Sequence, residues 1–153
     1  MPLARLRLTA LVLAALLAAP VGAPAGAEPA RFIELVPSGG EVPVHLAVSQ
    51  VVRVARVDQA TAIDTISYVQ QQSIEPVEAV AQRLMAAGLR LVPLTDLANR
   101  RLYVAPERVV IVRRSPERHA EGARASLVMA GLRLRNDVAV RETVEEVMAA
   151  LGR

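Results

Sequence analysis

Two stretches of this chain lie on one another when displaced by 58 residues. Leu102-Tyr103-Val104-Ala105-Pro106-Glu107-Arg108-Val109-Val110-Ile111-Val112-Arg113-Arg114 sets two β-prone runs around a Pro-Glu-Arg corner. Val44-His45-Leu46-Ala47-Val48-Ser49-Gln50-Val51-Val52-Arg53-Val54-Ala55-Arg56 has the same layout in looser form. A second overlay places Glu75-Pro76-Val77-Glu78-Ala79-Val80 on Glu142-Thr143-Val144-Glu145-Glu146-Val147, now displaced by 67, so the later copy is nine residues longer. The excess falls in the charged loop over 115–122 and the hairpin after it. A chain that twice runs from strands into one helix is expected to be α+β. The expected form is a pseudo-symmetric tandem repeat of two small units, each of about four strands closed by a C-terminal helix. Two copies fall short of the roughly three units a solenoid needs. The units, residues 28–88 and 89–153, are therefore expected to pack on each other as one body. Whether strands exchange between them is left open by the pattern.

Local periodicity supplies the elements. Residues 32–36 read as a strand, and Pro37-Ser38-Gly39-Gly40 as a turn after it. β character resumes over 41–48, with Pro43 suggesting an edge or an irregular start. Residues 51–57 alternate Val with Arg or Ala, the period of a half-buried strand, and 61–69 read as a second strand of that kind. From Glu75 the period changes: Val77, Val80, Ala81, Leu84 and Met85 form a helical stripe, with Pro76 suited to its start and Gly88 to its stop. The later half repeats this order, with strands expected over 91–94, 101–105, 109–113, 123–129 and 132–140. A helix beginning at Glu142 carries the stripe Val144, Val147, Met148 and Leu151.

The N-terminus carries an address. Arg5 and Arg7 precede an uncharged apolar run over residues 8–19, and Ala25-Gly26-Ala27 is a small-x-small cleavage site. This is the pattern of a secretory signal peptide, residues 1–27, with cleavage expected after Ala27. The run is shorter than the roughly 20 residues a membrane span needs, so no transmembrane span is expected after cleavage. The product would be periplasmic or secreted. With no cysteine in the chain, a lipid-modified lipoprotein is excluded, and the core must hold by burial without disulfides. Without Arg5 and Arg7 the chain has 16 Arg against 15 acids and no Lys. The charge is uneven: residues 31–88 have 4 Arg and 6 acids, while 89–153 have 12 Arg and 8 acids.

No catalytic, cofactor or metal constellation stands out, and no residue is assigned to such a role. His45 and His119 are the only histidines and have no His or Cys near them in sequence, whereas a metal site needs several ligands. The Gly-x-Ser-x-Gly elbow of a serine hydrolase is absent. Glu142, Glu145 and Glu146 sit at the start of a helix, where its dipole favours negative charge. With 2 Tyr, 1 Phe and no Trp, the chain is poorly equipped to stack on sugars or nucleobases, and nucleic acid is not an expected partner. The strongest local anomaly is the Arg-rich set Arg100, Arg101, Arg108, Arg113, Arg114, Arg118, Arg133 and Arg135, interrupted by Glu107, Glu117 and Glu121. It is a candidate surface for an anionic partner: an acidic protein, a phospholipid headgroup or a cell-wall polymer.

The later half, from about residue 90 to 152, resembles the FlbD family of small flagellar and swarming-motility proteins. Leu94-Thr95, Leu102-Tyr103-Val104-Ala105-Pro106-Glu107-Arg108-Val109 and Val140-Arg141-Glu142-Thr143-Val144-Glu145-Glu146-Val147 carry the resemblance. Family members have Asn where this chain has Ala105, and they lack a signal peptide and a second copy. The resemblance implies a small curled sheet closed by one helix. Together these features point to an exported, non-enzymatic interaction or scaffold protein of the cell envelope. The rival expectations are a small periplasmic hydrolase or lyase using carboxylates, and a binder of anionic surfaces through the Arg-rich half.

Overall fold

The computed structural model describes residues 30–116, 119–132 and 137–152. The expected signal peptide and its cleavage site therefore lie outside the described residues. The elements run β1 (Phe32–Leu35), β2 (Val44–Ala47), a 3-10 turn (Val48–Gln50), β3 (Val51–Val57), β4 (Ala60–Thr65), β5 (Gln70–Ser73) and α1 (Val77–Ala86). There follow β6 (Val92–Thr95), β7 (Arg101–Val104), a 3-10 turn (Pro106–Arg108), β8 (Val109–Arg114), β9 (Ala125–Met129), β10 (Asp137–Val140) and α2 (Val144–Leu151). The architecture is α+β: three antiparallel sheets and two helices among the described residues.

The sheets do not divide at residue 88. β1 and β2 form a two-stranded hairpin, β8, β9 and β10 a three-stranded sheet, and the remaining five strands run in the order β5-β4-β3-β7-β6. β7 follows α1 in sequence yet pairs with β3, setting Arg53 opposite Val104 and Val54 opposite Tyr103. The Ala105 amide continues the ladder by donating to the Val52 carbonyl at 2.9 Å. Both core clusters are shared in the same way. One joins Val52 and Ala55 to Leu94, Leu127, Val140 and Val147; the other joins Val54, Ile63 and Leu84 to Leu91 and Ala105.

One expected strand splits. Residues 61–69 read as continuous, but β4 ends at Thr65 and the chain turns, with Tyr68 at φ 62 and the Tyr68 amide donating to the Thr65 carbonyl. β5 follows as Gln70-Gln71-Gln72-Ser73, whose polar composition carries no β signal, so the first half has one strand more than its pattern suggested. β4 is buried along its whole length rather than on one face. Its Asp64 is satisfied there by the Arg53 Nε and Nη2 at 2.7 Å and by the Gln70 amide at 2.8 Å. The strand expected over 132–140 is found as β10 from Asp137; residues 133–136 lie outside the described set.

α1 starts one residue later than expected and α2 two, and in each case a glutamate ahead of the helix points elsewhere. Glu75 Oε2 accepts the Val36 amide at 3.0 Å, and Glu75 Oε1 meets the Arg83 guanidinium at 2.6 Å. Burial pushes the Glu75 carboxyl up, but the Val36 amide, the Arg83 guanidinium and the Ser73 hydroxyl outweigh it and hold the group below its ordinary value. Glu142 Oε2 likewise accepts the Thr95 amide, at 3.1 Å. The cap of α2 is Thr143, whose hydroxyl accepts the Glu146 amide at 3.1 Å while Glu146 Oε2 accepts the Thr143 amide at 2.7 Å. This reciprocal box satisfies two helix-end donors. The Thr143 amide, aided by Arg124 and the Thr143 hydroxyl, keeps the Glu146 carboxyl below its ordinary range against a smaller opposing effect of burial. Among the described residues no helix is long and apolar enough to cross a membrane.

Candidate functional site

β8 is an edge strand. It pairs with β9 on one side, and no other strand of the described residues pairs with its second side. A register shift between Val109 and Ile111 interrupts the ladder at the strand's start. Such a bulge breaks the simple alternation of faces, and two consecutive apolar side chains, Val110 at 64% and Ile111 at 47% exposure, stand in solvent. Met148 on α2 is also exposed, at 53%. Between β8 and α2 runs a groove of about 440 Å³, lined by Pro106, Val109–Val112, Met148 and Leu151. Unpaired strand groups beside exposed apolar side chains make a template for another strand, which proteins ordinarily blunt with charge, proline or cover. Arg113 and Arg114 blunt only the far end of β8.

β3 shows what such an edge is like when occupied. It too follows a 3-10 turn and carries a register shift, between Val51 and Arg53. With β7 on one side and β4 on the other, its Val51, Val52 and Val54 are fully buried. β2 is the other open edge near apolar surface. It pairs only with β1, His45 is exposed on it, and Phe32 and Val42 nearby are 58% and 78% exposed.

Among the described residues, the members of the Arg-rich set are divided between separate places. Arg100 is paired with Asp96 at 2.9 Å, and with Arg101 and Arg56 it borders a groove that also contains Glu78. Arg108 lies between the halves of the chain, its Nη2 donating to the Ser49 carbonyl at 2.8 Å. Arg113 is bound to Asp137 at 2.8 Å on the three-stranded sheet, and Arg114 borders a different groove with Ser115 and Arg124. Arg118, Arg133 and Arg135 lie outside the described residues.

The fold brings Asp137 towards Ser115 and His119, which lie four residues apart in one loop. The Ser115 hydroxyl is 2.7 Å from His119 Nδ1, and His119 Nε2 is 3.7 Å from Asp137 Oδ2. A nucleophilic triad needs its carboxylate hydrogen-bonded to the imidazole, to orient the ring and stabilise its cation. Here the carboxylate stands beyond hydrogen-bond length and its Oδ2 is already taken by Arg113. The arrangement ties the loop after β8 to β10. Among the described residues no three His, Cys, Asp or Glu side chains group as a metal site would require. No family model, curated protein or solved structure matches this chain. What bears on function is the molecule's own surfaces. Of these, the β8 edge was not legible in the sequence: Val109-Val110-Ile111-Val112 reads the same whether a strand is central or at an edge.

Proposed function

We propose that this chain is an exported, non-enzymatic interaction protein of the cell envelope, which engages its partner by adding a strand to β8. The observation that carries the reading is the open β8 edge, with Val110, Ile111 and Met148 exposed beside it. Strand addition draws affinity from the main chain and specificity from neighbouring side-chain pockets, and this groove offers both. The same reading takes the chain as two copies of one unit. In its support, two strands, a 3-10 turn, three strands and a helix occur twice in that order. The strand after each 3-10 turn carries a register shift at its start, and a glutamate ahead of each helix accepts the amide at the end of the unit's first hairpin strand. The leader grammar of residues 1–27 supports export, and the FlbD resemblance makes motility components partners to look for.

A photo-crosslinking side chain at Ile111, with Ile74 as an exposed control outside the groove, tests the reading in the producing cell. One dominant envelope protein captured from Ile111 and not from Ile74 is expected. Equal capture from both positions, or none, overturns it. A second reading has one specific support, the groove bordered by Arg56, Arg100 and Arg101. It expects retention on vesicles of anionic lipid that fades with salt, and an Arg101→Glu chain that is not retained.

A further inference from the structure

The β8 edge has a natural occupant within the chain's own repertoire. Displaced by 58 residues, Val52, Arg53 and Val54 of the β3 region fall on Val110, Ile111 and Val112 of β8. Tyr103, Val104 and Ala105 at the end of β7 fall on His45, Leu46 and Ala47 of β2. The β3–β7 joint is thus a template for a β8–β2 joint that does not form within the molecule: β2 pairs only with β1 and β8 only with β9. The helices agree. Displaced by 67, Ala81 and Leu84 of α1 fall on Met148 and Leu151 of α2. Ala81 and Leu84 are fully buried in a cluster that includes Ala105, from the end of β7. Met148 is exposed and Leu151 only half-buried.

We propose that the β1–β2 hairpin of a second copy docks on β8 as β6–β7 docks on β3, so that copies join head to tail. This rests on reading β8 as a docking edge, and it names the occupant. The register follows from the template, with Ile111 opposite Leu46 and Val112 opposite His45 of the neighbour. The hydrogen bonding also fits. The Val48 amide donates inward to the Arg31 carbonyl, so along β2 the alternate amides of His45 and Ala47 face the open side. Ala47 N–H then meets the Val110 carbonyl, as Ala105 N–H meets that of Val52. The hairpin edge at β2 and the edge at β8 are different surfaces of the chain. The contact is therefore heterologous, and its repetition builds a ring or a filament rather than a closed two-fold dimer.

Two single substitutions divide the joint. Ala47 has φ −68, which proline accepts, so Ala47→Pro removes the donated amide while keeping the backbone angle. Ile111→Glu places a charge on the docking edge at an exposed position. The chain is expressed from its full sequence, and each variant is checked for folding by circular dichroism and thermal melting. His45→Glu and Val110→Glu replace either variant that fails to fold. Sedimentation is expected to show concentration-dependent growth beyond a dimer for the unsubstituted chain and monomers for each variant alone. An equimolar mixture of the two variants is expected to form a complex of twice the monomer mass and no larger, because one intact hairpin meets one intact edge. A monomeric unsubstituted chain at about 1 mM, a monomeric mixture, or growth that survives either substitution overturns the proposal. If self-association is absent while Ile111 still crosslinks another envelope protein, the head-to-tail joint is wrong and the docking reading stands. If both are absent, both fall.

Discussion

Glu75 holds the end of the β1 strand run, the Ser73 side chain and the Arg83 guanidinium at once. Glu75→Ala leaves the Val36 amide without its acceptor and is expected to cost about 1–3 kcal/mol in chemical denaturation. Because the folded carboxyl is held below its ordinary value of 4.5, its contribution is complete above that pH. It is lost as pH falls through the lower folded value. The acid limb of the stability profile is therefore expected to flatten in Glu75→Gln, and an unchanged limb would contradict the assignment. Gly131 is decided by space and by backbone. At φ 83, a Cβ there would meet the Ile66 Cα at 2.6 Å and the Thr65 carbonyl oxygen at 2.9 Å. Neither backbone atom can swing aside, so Gly131→Ala is expected to lose about 2–3 kcal/mol, measured by denaturant midpoint. Ser115 tests the non-enzymatic reading directly. With Asp137 held by Arg113 and 3.7 Å from His119, the hydroxyl is expected not to react with a fluorophosphonate probe; labelling would revive hydrolase chemistry.

The elements differ in how plainly the sequence announces them. Both helices were legible from their stripes, since Val77, Val80, Ala81 and Leu84 recur at helical spacing and are buried together. The pattern places the start of α1 one residue early and that of α2 two. Glu75 and Glu142 resemble first-turn acids in sequence, yet each reaches back to a strand amide, a partner fixed by tertiary contact. The cap of α2 is local, and Thr143→Ala is expected to cost about 1 kcal/mol, read as a lowered melting temperature with the sheets intact. The bounds of β3 are legible in the sequence, because its Val and Arg or Ala alternate over residues 51–57. β5 is not legible, because Gln70-Gln71-Gln72-Ser73 has no apolar alternation and gains its strand form from pairing with β4. The docking edge belongs with these late-decided features: only the sheet order shows that β8 lies outermost.

On the scale of the molecule, the β3–β7 ladder joins what the sequence presents as two units. Residues 89–153 alone would expose the edge of β7 that β3 pairs with and lose Val52 and Ala55 from their core. That fragment is expected to show no cooperative unfolding transition. Mixing it with residues 28–88 is expected to restore one, followed by circular dichroism; cooperative unfolding of the later fragment alone would show the joint to be dispensable. By itself the sequence determined the α+β class, the presence of both helices, most of the buried face of α1, most strand positions and the order in which strand-rich stretches lead into helices. These follow from spacing along the chain, where neighbouring residues share a face or a turn. The tertiary structure alone decided that β7 pairs with β3, that Glu75 and Glu142 serve strand ends, and that β2 and β8 are left open. A strand's edge presents the same amides and carbonyls whatever its side chains, so the choice of partner is made by packing between residues far apart in sequence.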